Sequence, residues 1–127
     1  MGVVGVGIDA VEIDRMRLAL LRTPALIDRL FTDGEQLQCT ARTGRRRFAR
    51  FAARFAAKEA VAKALGTGVV GFGFRDVEIV NADGGAPSVV LNDRAQAVAH
   101  RVGVTTLLVS LSVTRDVAIA TALAEGP

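Results

Sequence analysis

The sequence predicts an α+β fold with a mostly antiparallel sheet and one long central helix. Three observations carry that expectation. Residues 3–8 alternate apolar side chains with glycine and aspartate, the period of two that marks a strand. Residues 46–65 hold helical periodicity without interruption until Gly66. Near the end, residues 107–113 and 117–123 bracket Thr114, Arg115 and Asp116 as a hairpin. At 127 residues, 50% hydrophobic and 23% charged, the chain is sized as a single domain over 1–127.

In the first strand, Val4, Val6 and Ile8 share one face, and Gly5, Gly7 and Asp9 the other. A glycine face admits another backbone or a ligand at close range. Residues 11–21 then read as a helix carrying Arg15, Arg17 and Arg22, broken at Thr23-Pro24. Pro24 suits the first position of a short helix running to Phe31. Thr32 with Glu35 three residues on forms a capping box for a further short helix. On the long helix, Phe48, Phe51, Phe55, Ala52 and Ala62 share one face. Glu59 falls in that stripe, where a carboxylate is costly unless paired or bound to metal. Arg50, Arg54 and Lys58 form a separate ridge at i, i+4, i+8 spacing. Beyond the glycine-rich stretch 66–73, residues 76–80 read as a strand that turns through 81–87 into a second at 88–91. Asp93 caps an amphipathic helix to about Val102.

Charge is uneven. Residues 1–66 hold twelve basic and seven acidic groups, residues 67–127 four and six. Between Arg42 and Lys63 eight basic groups face one acid, Glu59. That stretch suits a polyanion, such as a phosphorylated cofactor, an acidic protein or nucleic acid, or else is a solvated helix face. Fourteen of the sixteen basic residues are arginine. The two lysines, Lys58 and Lys63, flank Glu59, and a compact ammonium serves phosphate as a point donor.

Several classes are excluded. No apolar run reaches the roughly 18–20 residues of a membrane helix. The opening Met1-Gly2-Val3-Val4 lacks the basic segment of a signal peptide, so a cytoplasmic protein with no membrane partner is expected. Cys39 alone supports neither a disulfide framework nor a cysteine zinc site. The glycines 2, 5 and 7 do not make a dinucleotide fingerprint, because Asp9 would oppose a pyrophosphate and no parallel crossover follows. Residues 66–68 are no Walker loop. His100 reads as a surface residue, Ser110 and Ser112 have no histidine partner for a triad, and the absence of Trp and Tyr weakens a stacking platform for nucleic acid. Asp9 and Glu59 together could hold a hard cation such as magnesium, which takes one or two carboxylates and leaves its other positions to water and phosphate. Asp9 could instead cap the following helix, and Glu59 could pair with Lys63 one turn on.

Two motifs carry a resemblance. Gly7-Ile8-Asp9-Ala10-Val11-Glu12-Ile13-Asp14-Arg15 resembles the first signature of the holo-acyl-carrier-protein synthases, the small trimeric 4′-phosphopantetheinyl transferases. The segment from Arg54 through Lys58-Glu59-Ala60-Val61-Ala62-Lys63 to Gly68 resembles the second. Asp76-Val77-Glu78-Ile79, Gly85-Ala86-Pro87 and Val109-Ser110-Leu111-Ser112 follow as later landmarks. The resemblance implies magnesium-dependent transfer of 4′-phosphopantetheine from coenzyme A to a serine of apo-acyl-carrier protein, releasing adenosine 3′,5′-bisphosphate. It implies that Asp9 and Glu59 bind the magnesium over the coenzyme A pyrophosphate. Lys63 would stabilise charge on the phosphoryl group, and Glu59, or a metal-bound water it orients, would deprotonate the serine. Lys58 and Lys63 would bind the cofactor, Arg45 and Arg54 would contact its 3′-phosphate, and Gly66, Thr67, Gly85 and Pro87 would line the nucleotide. Arg15 and Arg22 would dock the carrier. A homotrimer with active sites between subunits is expected. Val113 stands where the family has histidine, which leaves a catalytically impaired member as the alternative, with a basic nucleic-acid-binding module behind it.

Overall fold

Why so small a chain can place two carboxylates on different elements side by side follows from how its layers meet. The computed structural model describes residues 1–81 and 85–127. Strand β1 (Gly2–Glu12) leads into helices α1 (Ile13–Arg22), α2 (Ala25–Leu30) and α3 (Asp33–Thr40), then the long α4 (Gly44–Ala64). A 3₁₀ turn (Phe74–Asp76) precedes β2 (Val77–Asn81) and β3 (Pro87–Leu91), and α5 (Asp93–Arg101) precedes β4 (Thr106–Val113) and β5 (Val117–Gly126). The sheets are β1-β5-β4 and β2-β3, and every pairing among the described residues is antiparallel. The predicted fold class stands. Of the predicted turn at 81–87, residues 82–84 lie outside the described residues, while Asn81 pairs with Pro87 across the strands it joins.

Local signals explain the boundaries. Thr32 Oγ accepts from Glu35 N–H at 3.2 Å and Glu35 accepts from Thr32 N–H at 2.9 Å, so the capping box forms as spaced. Gly66 ends α4 at φ +81°, a left-handed conformation that suits glycine. Pro24 is the cap rather than the first residue of α2, and Asn92 rather than Asp93 caps α5. Strand β1 runs four residues past Ile8, so α1 begins at Ile13 with Glu12 as its cap.

The main core is built from small residues. Ala56, Ala60 and Ala64 of α4 bury against Ala120, Ala122 and Ala124 of β5. A Cβ added to Gly5 would lie 1.9 Å from Ala64 O, and one added to Gly7 would lie 1.9 Å from Ala60 O. The glycine face of β1 therefore receives another backbone, that of α4, and bare backbones come closer than any side chain would allow. The apolar face of β1 is the outward one: Val6 is 59% and Ile8 60% exposed, beside Leu108 of β4 and Leu123 of β5. A second core, under α1–α3, centres on Phe31 and Phe51, whose rings lie 4.8 Å apart.

Candidate active site

The polar side of a cavity of about 660 Å³ is built by three elements. Strand β1 contributes Asp9, α4 contributes Phe55, Glu59 and Lys63, and α1 contributes Arg15. Asp9 sits within the strand opposite Ala120, so it does not cap α1. Its period-two position puts it on the glycine face, toward α4. On α4 the four-residue spacing of Phe55, Glu59 and Lys63 stacks all three along one side of the helix.

Lys63 Nζ donates to Ile8 O at 2.9 Å and lies 3.4 Å from Asp9 Oδ1. The lysine thus pairs with Asp9 across the layers rather than with Glu59 on its own helix. Among the described residues Glu59 has no ion pair. Its carboxyl is pushed above the ordinary glutamate value by burial and by the Asp9 charge, with Lys63 pulling the other way. An unpaired, half-buried carboxylate repelled by a second one is a site that gains from a cation. Two carboxylates are too few for an all-protein cage, and the described residues contain no cluster of three or more histidine, cysteine or acidic ligands. The donor set fits magnesium, which keeps much of its shell as water or phosphate oxygen. The rest of the cavity is apolar, lined by Met16, Leu26, Leu30 and by Phe74, whose ring stacks on Phe55 at 5.4 Å.

A second cavity, about 570 Å³, is basic. Arg42, Arg50 and Arg54 line it with Gln38, Asn81 and Gly85, and Leu111 and Val113 close it. Arg54 is 4% exposed; its Nη2 donates to Gln38 Oε1 at 2.7 Å and Asn81 Oδ1 at 3.1 Å. Its Nε is buried without a partner among the described residues. Arg50 Nη1 donates to Gln38 O at 2.8 Å.

The predicted residues therefore divide. Asp9, Glu59, Lys63 and Arg15 share the first cavity; Arg54 and Gly85 share the second. Arg45 lies at the start of α4 with Asp116 3.1 Å away. Gly66 and Thr67 follow the end of α4, Pro87 opens β3 and Arg22 ends α1, all outside both cavities. Lys58 is a correction. It is 1% exposed and its ammonium spends all three protons inside the protein, on Glu35 Oε1 at 2.7 Å, Phe74 O at 2.8 Å and Val77 O. No donor remains for a cofactor, so Lys58 does not bind one. The expected ridge of Arg50, Arg54 and Lys58 is no solvated stripe, because its last two members are buried. Arg42, Arg50, Gln38 and Asn81 are site residues that sequence reasoning misses; the i, i+4 spacing of Arg50 to the predicted Arg54 is the one signal that reaches any of them. Cys39 is fully buried beside this cavity, its thiol pushed up to about 11 by burial, with Arg54 offsetting part of the effect.

A family model described as the 4′-phosphopantetheinyl transferase superfamily matches residues 5–122. The chain belongs to this family. Among transferases similar to it, the holo-[acyl-carrier-protein] synthase of Desulforudis audaxviator is 50% identical over 126 residues, covering 98% of this chain and 95% of that protein. The holo-[acyl-carrier-protein] synthase of Neisseria meningitidis superposes with a TM-score of 0.87 at 29% identity, over 98% of this chain and 99% of its own. That of Bacillus anthracis, solved in complex with coenzyme A (3′,5′-ADP), gives 0.82 at 30% identity over 98% of both chains. As in those structures, the transferase fold here is α+β. No described helix is long and apolar enough to cross a membrane.

Proposed function

We propose that the chain, as one domain over 1–127, transfers 4′-phosphopantetheine from coenzyme A to a serine of apo-acyl-carrier protein. The observation that carries this reading is the meeting of Asp9, Glu59 and Lys63 in one cavity. Asp9 and Glu59 would hold magnesium, which when bound supplies positive charge at a pyrophosphate. The carrier serine hydroxyl attacks the phosphorus that bears pantetheine, and the bond to the departing phosphate oxygen breaks. Glu59 would take the hydroxyl proton, as a carboxylate at the edge of the cavity can. Lys63, still 53% exposed, offsets charge on the transferring group. Adenosine 3′,5′-bisphosphate leaves. Names of the relatives and the ligand of the Bacillus anthracis structure support both substrates.

The basic cavity suits the 3′-phosphate: Arg54, whose Nε has no partner among the described residues, takes it together with Arg50 and Arg42. Glu59 and Arg50 are nine residues apart, and about 3.6 residues per turn puts them on opposite faces of α4. One chain therefore cannot easily offer both to one nucleotide. A second copy can, and the outward apolar face of the three-stranded sheet supplies a contact surface of the kind that mediates association. This supports sites that lie between subunits, in an assembly that the family resemblance makes a homotrimer, where Arg45, Gly66, Thr67, Gly85 and Pro87 would complete the nucleotide pocket. Arg15, at the cavity mouth, and Arg22 would meet the acidic carrier. Val113 adds an apolar wall to the basic cavity but removes none of its arginines, which favours an active enzyme over an impaired one.

The test is mass spectrometry of an apo-carrier incubated with coenzyme A. A gain of about 340 Da, set by phosphopantetheine chemistry, is expected with magnesium and not after chelation. Glu59→Gln is expected to lower the rate by about 10²-fold or more, as loss of a general base does. No mass gain from the wild-type chain overturns the reading.

A further inference from the structure

The first cavity has a wall that the reaction does not explain. Phe74, on the 3₁₀ turn, stacks on Phe55, one helical turn from Glu59. Asp76 caps that turn, accepting from Gly73 N–H at 2.7 Å and pairing with Arg94 at 2.7 Å, and on its inner side the turn is gripped by a buried ion pair: Lys58 is 1% and Glu35 is 1% exposed. Each member is fully satisfied. Glu35 accepts from Thr32 N–H at 2.9 Å, from Ile79 N–H at 3.0 Å and from Lys58. Lys58 donates to Glu35 and to two backbone carbonyls, Phe74 and Val77, at the two ends of the turn. The neighbouring side chain extends the tie: Arg75 Nη1 donates to Asp28 O at 2.7 Å and Phe31 O at 2.6 Å, at the end of α2, which brings Leu26 and Leu30 to the same cavity.

A generic stability role does not require these partners. Apolar residues of similar volume fill a core at least as well as a buried ion pair. The lysine here instead gathers three acceptors from two separate segments at one point, which neither an apolar side chain nor a planar guanidinium can do. We propose that Lys58, with Glu35 as its counter-ion, is a positioning residue for the transfer reaction: it sets the Phe74 wall, and through it the placement of the reacting groups against Glu59 and Lys63. This rests on the reading given under Proposed function. The wall is not where the nucleotide's 3′-phosphate goes, so its displacement costs rate rather than nucleotide affinity.

The experiment measures kcat with saturating coenzyme A and carrier, and the Kd of adenosine 3′,5′-bisphosphate, for wild type, Phe74→Ala, Lys58→Met and the double variant. All are assayed where circular dichroism shows native protein. Phe74→Ala leaves the ion pair intact, because Lys58 holds the backbone carbonyl. It is expected to lose roughly 10- to 100-fold in kcat, the scale of a slight misplacement near the chemistry. Lys58→Met is expected to lose as much, with Kd within about twofold of wild type, and the double variant no more than the larger single loss. If Lys58→Met does not fold, Lys58→Arg replaces it, keeping the charge opposite Glu35 but not the three-way contact. Wild-type kcat in Phe74→Ala, or in a folded Lys58 variant, overturns the proposal, as does a multiplicative double variant. A wild-type chain that transfers nothing sinks the underlying reading instead, and the two failures are thereby separate.

Discussion

The two lysines of this chain stand five positions apart on one helix and occupy opposite environments. Lys58 is sealed, its ammonium shared among a carboxylate and two carbonyls; Lys63 stands at the rim, bonded to the strand carbonyl of Ile8 and close to Asp9. Burial pulls the Lys58 ammonium below its usual value, and Glu35 restores part of the loss. The difference teaches that the same residue type in the same motif is sealed as a structural tie in one place and left open at a cavity rim in another. Neighbours from distant segments decide which.

The comparison breaks most severely at Lys58. Lys58→Met leaves Glu35 charged and buried, and about 3–5 kcal/mol of stability should disappear, read as a lowered denaturant midpoint with unchanged slope. Lys63→Met should do the converse. An exposed pair contributes at most about 1 kcal/mol, so its melting curve stays near wild type while transfer slows by about 10²-fold. Equal stability losses at the two sites would erase the distinction. Gly7→Ala probes the sealed interior from the strand side: a methyl forced against Ala60 O should cost about 1–3 kcal/mol in chemical denaturation, and Gly2→Ala, where the added Cβ meets nothing within 4 Å, should not. The smallest effect sharpens the rim. Glu59 holds its proton more tightly folded than unfolded, so its contribution to stability declines as pH rises from the ordinary value of 4.5 through the raised one. Glu59→Gln should therefore melt slightly above wild type at pH 7, with the gap closing below pH 4.5, even as transfer is lost. A lower melting temperature at pH 7 would contradict the repulsion from Asp9.

Much of this was legible in the residues. The capping box at Thr32 and Glu35, the hairpin about Thr114 and the Gly66 stop are local, and local rules found them. The glycine face of β1 signalled close approach, but nothing in the strand says that the approaching backbone is α4. Glu35 shows why such partners stay hidden. Its capping role depends on a spacing of three, whereas its role as counter-ion to Lys58 depends on how α3 docks on α4. Periodicity sets Lys58 on a basic ridge and cannot show its burial, because α4 is covered on several sides and a helix enclosed that widely has no single wet face for periodicity to find. Asp9 and Glu59 are legible because an acid among glycines or phenylalanines conflicts with its surroundings, and Lys63 because it is one of only two lysines beside fourteen arginines. The arginines of the second cavity raise no such conflict.

One consequence of the bare contact between Gly7 and Ala60 concerns scale. Asp9 lies two residues beyond one side of that contact and Glu59 one residue before the other. The span between the two acids is thereby gauged by main chain resting on main chain, a spacer with no side chain left to trim. Any side chain placed at Gly7 would push the two backbones apart there, and none could draw them closer.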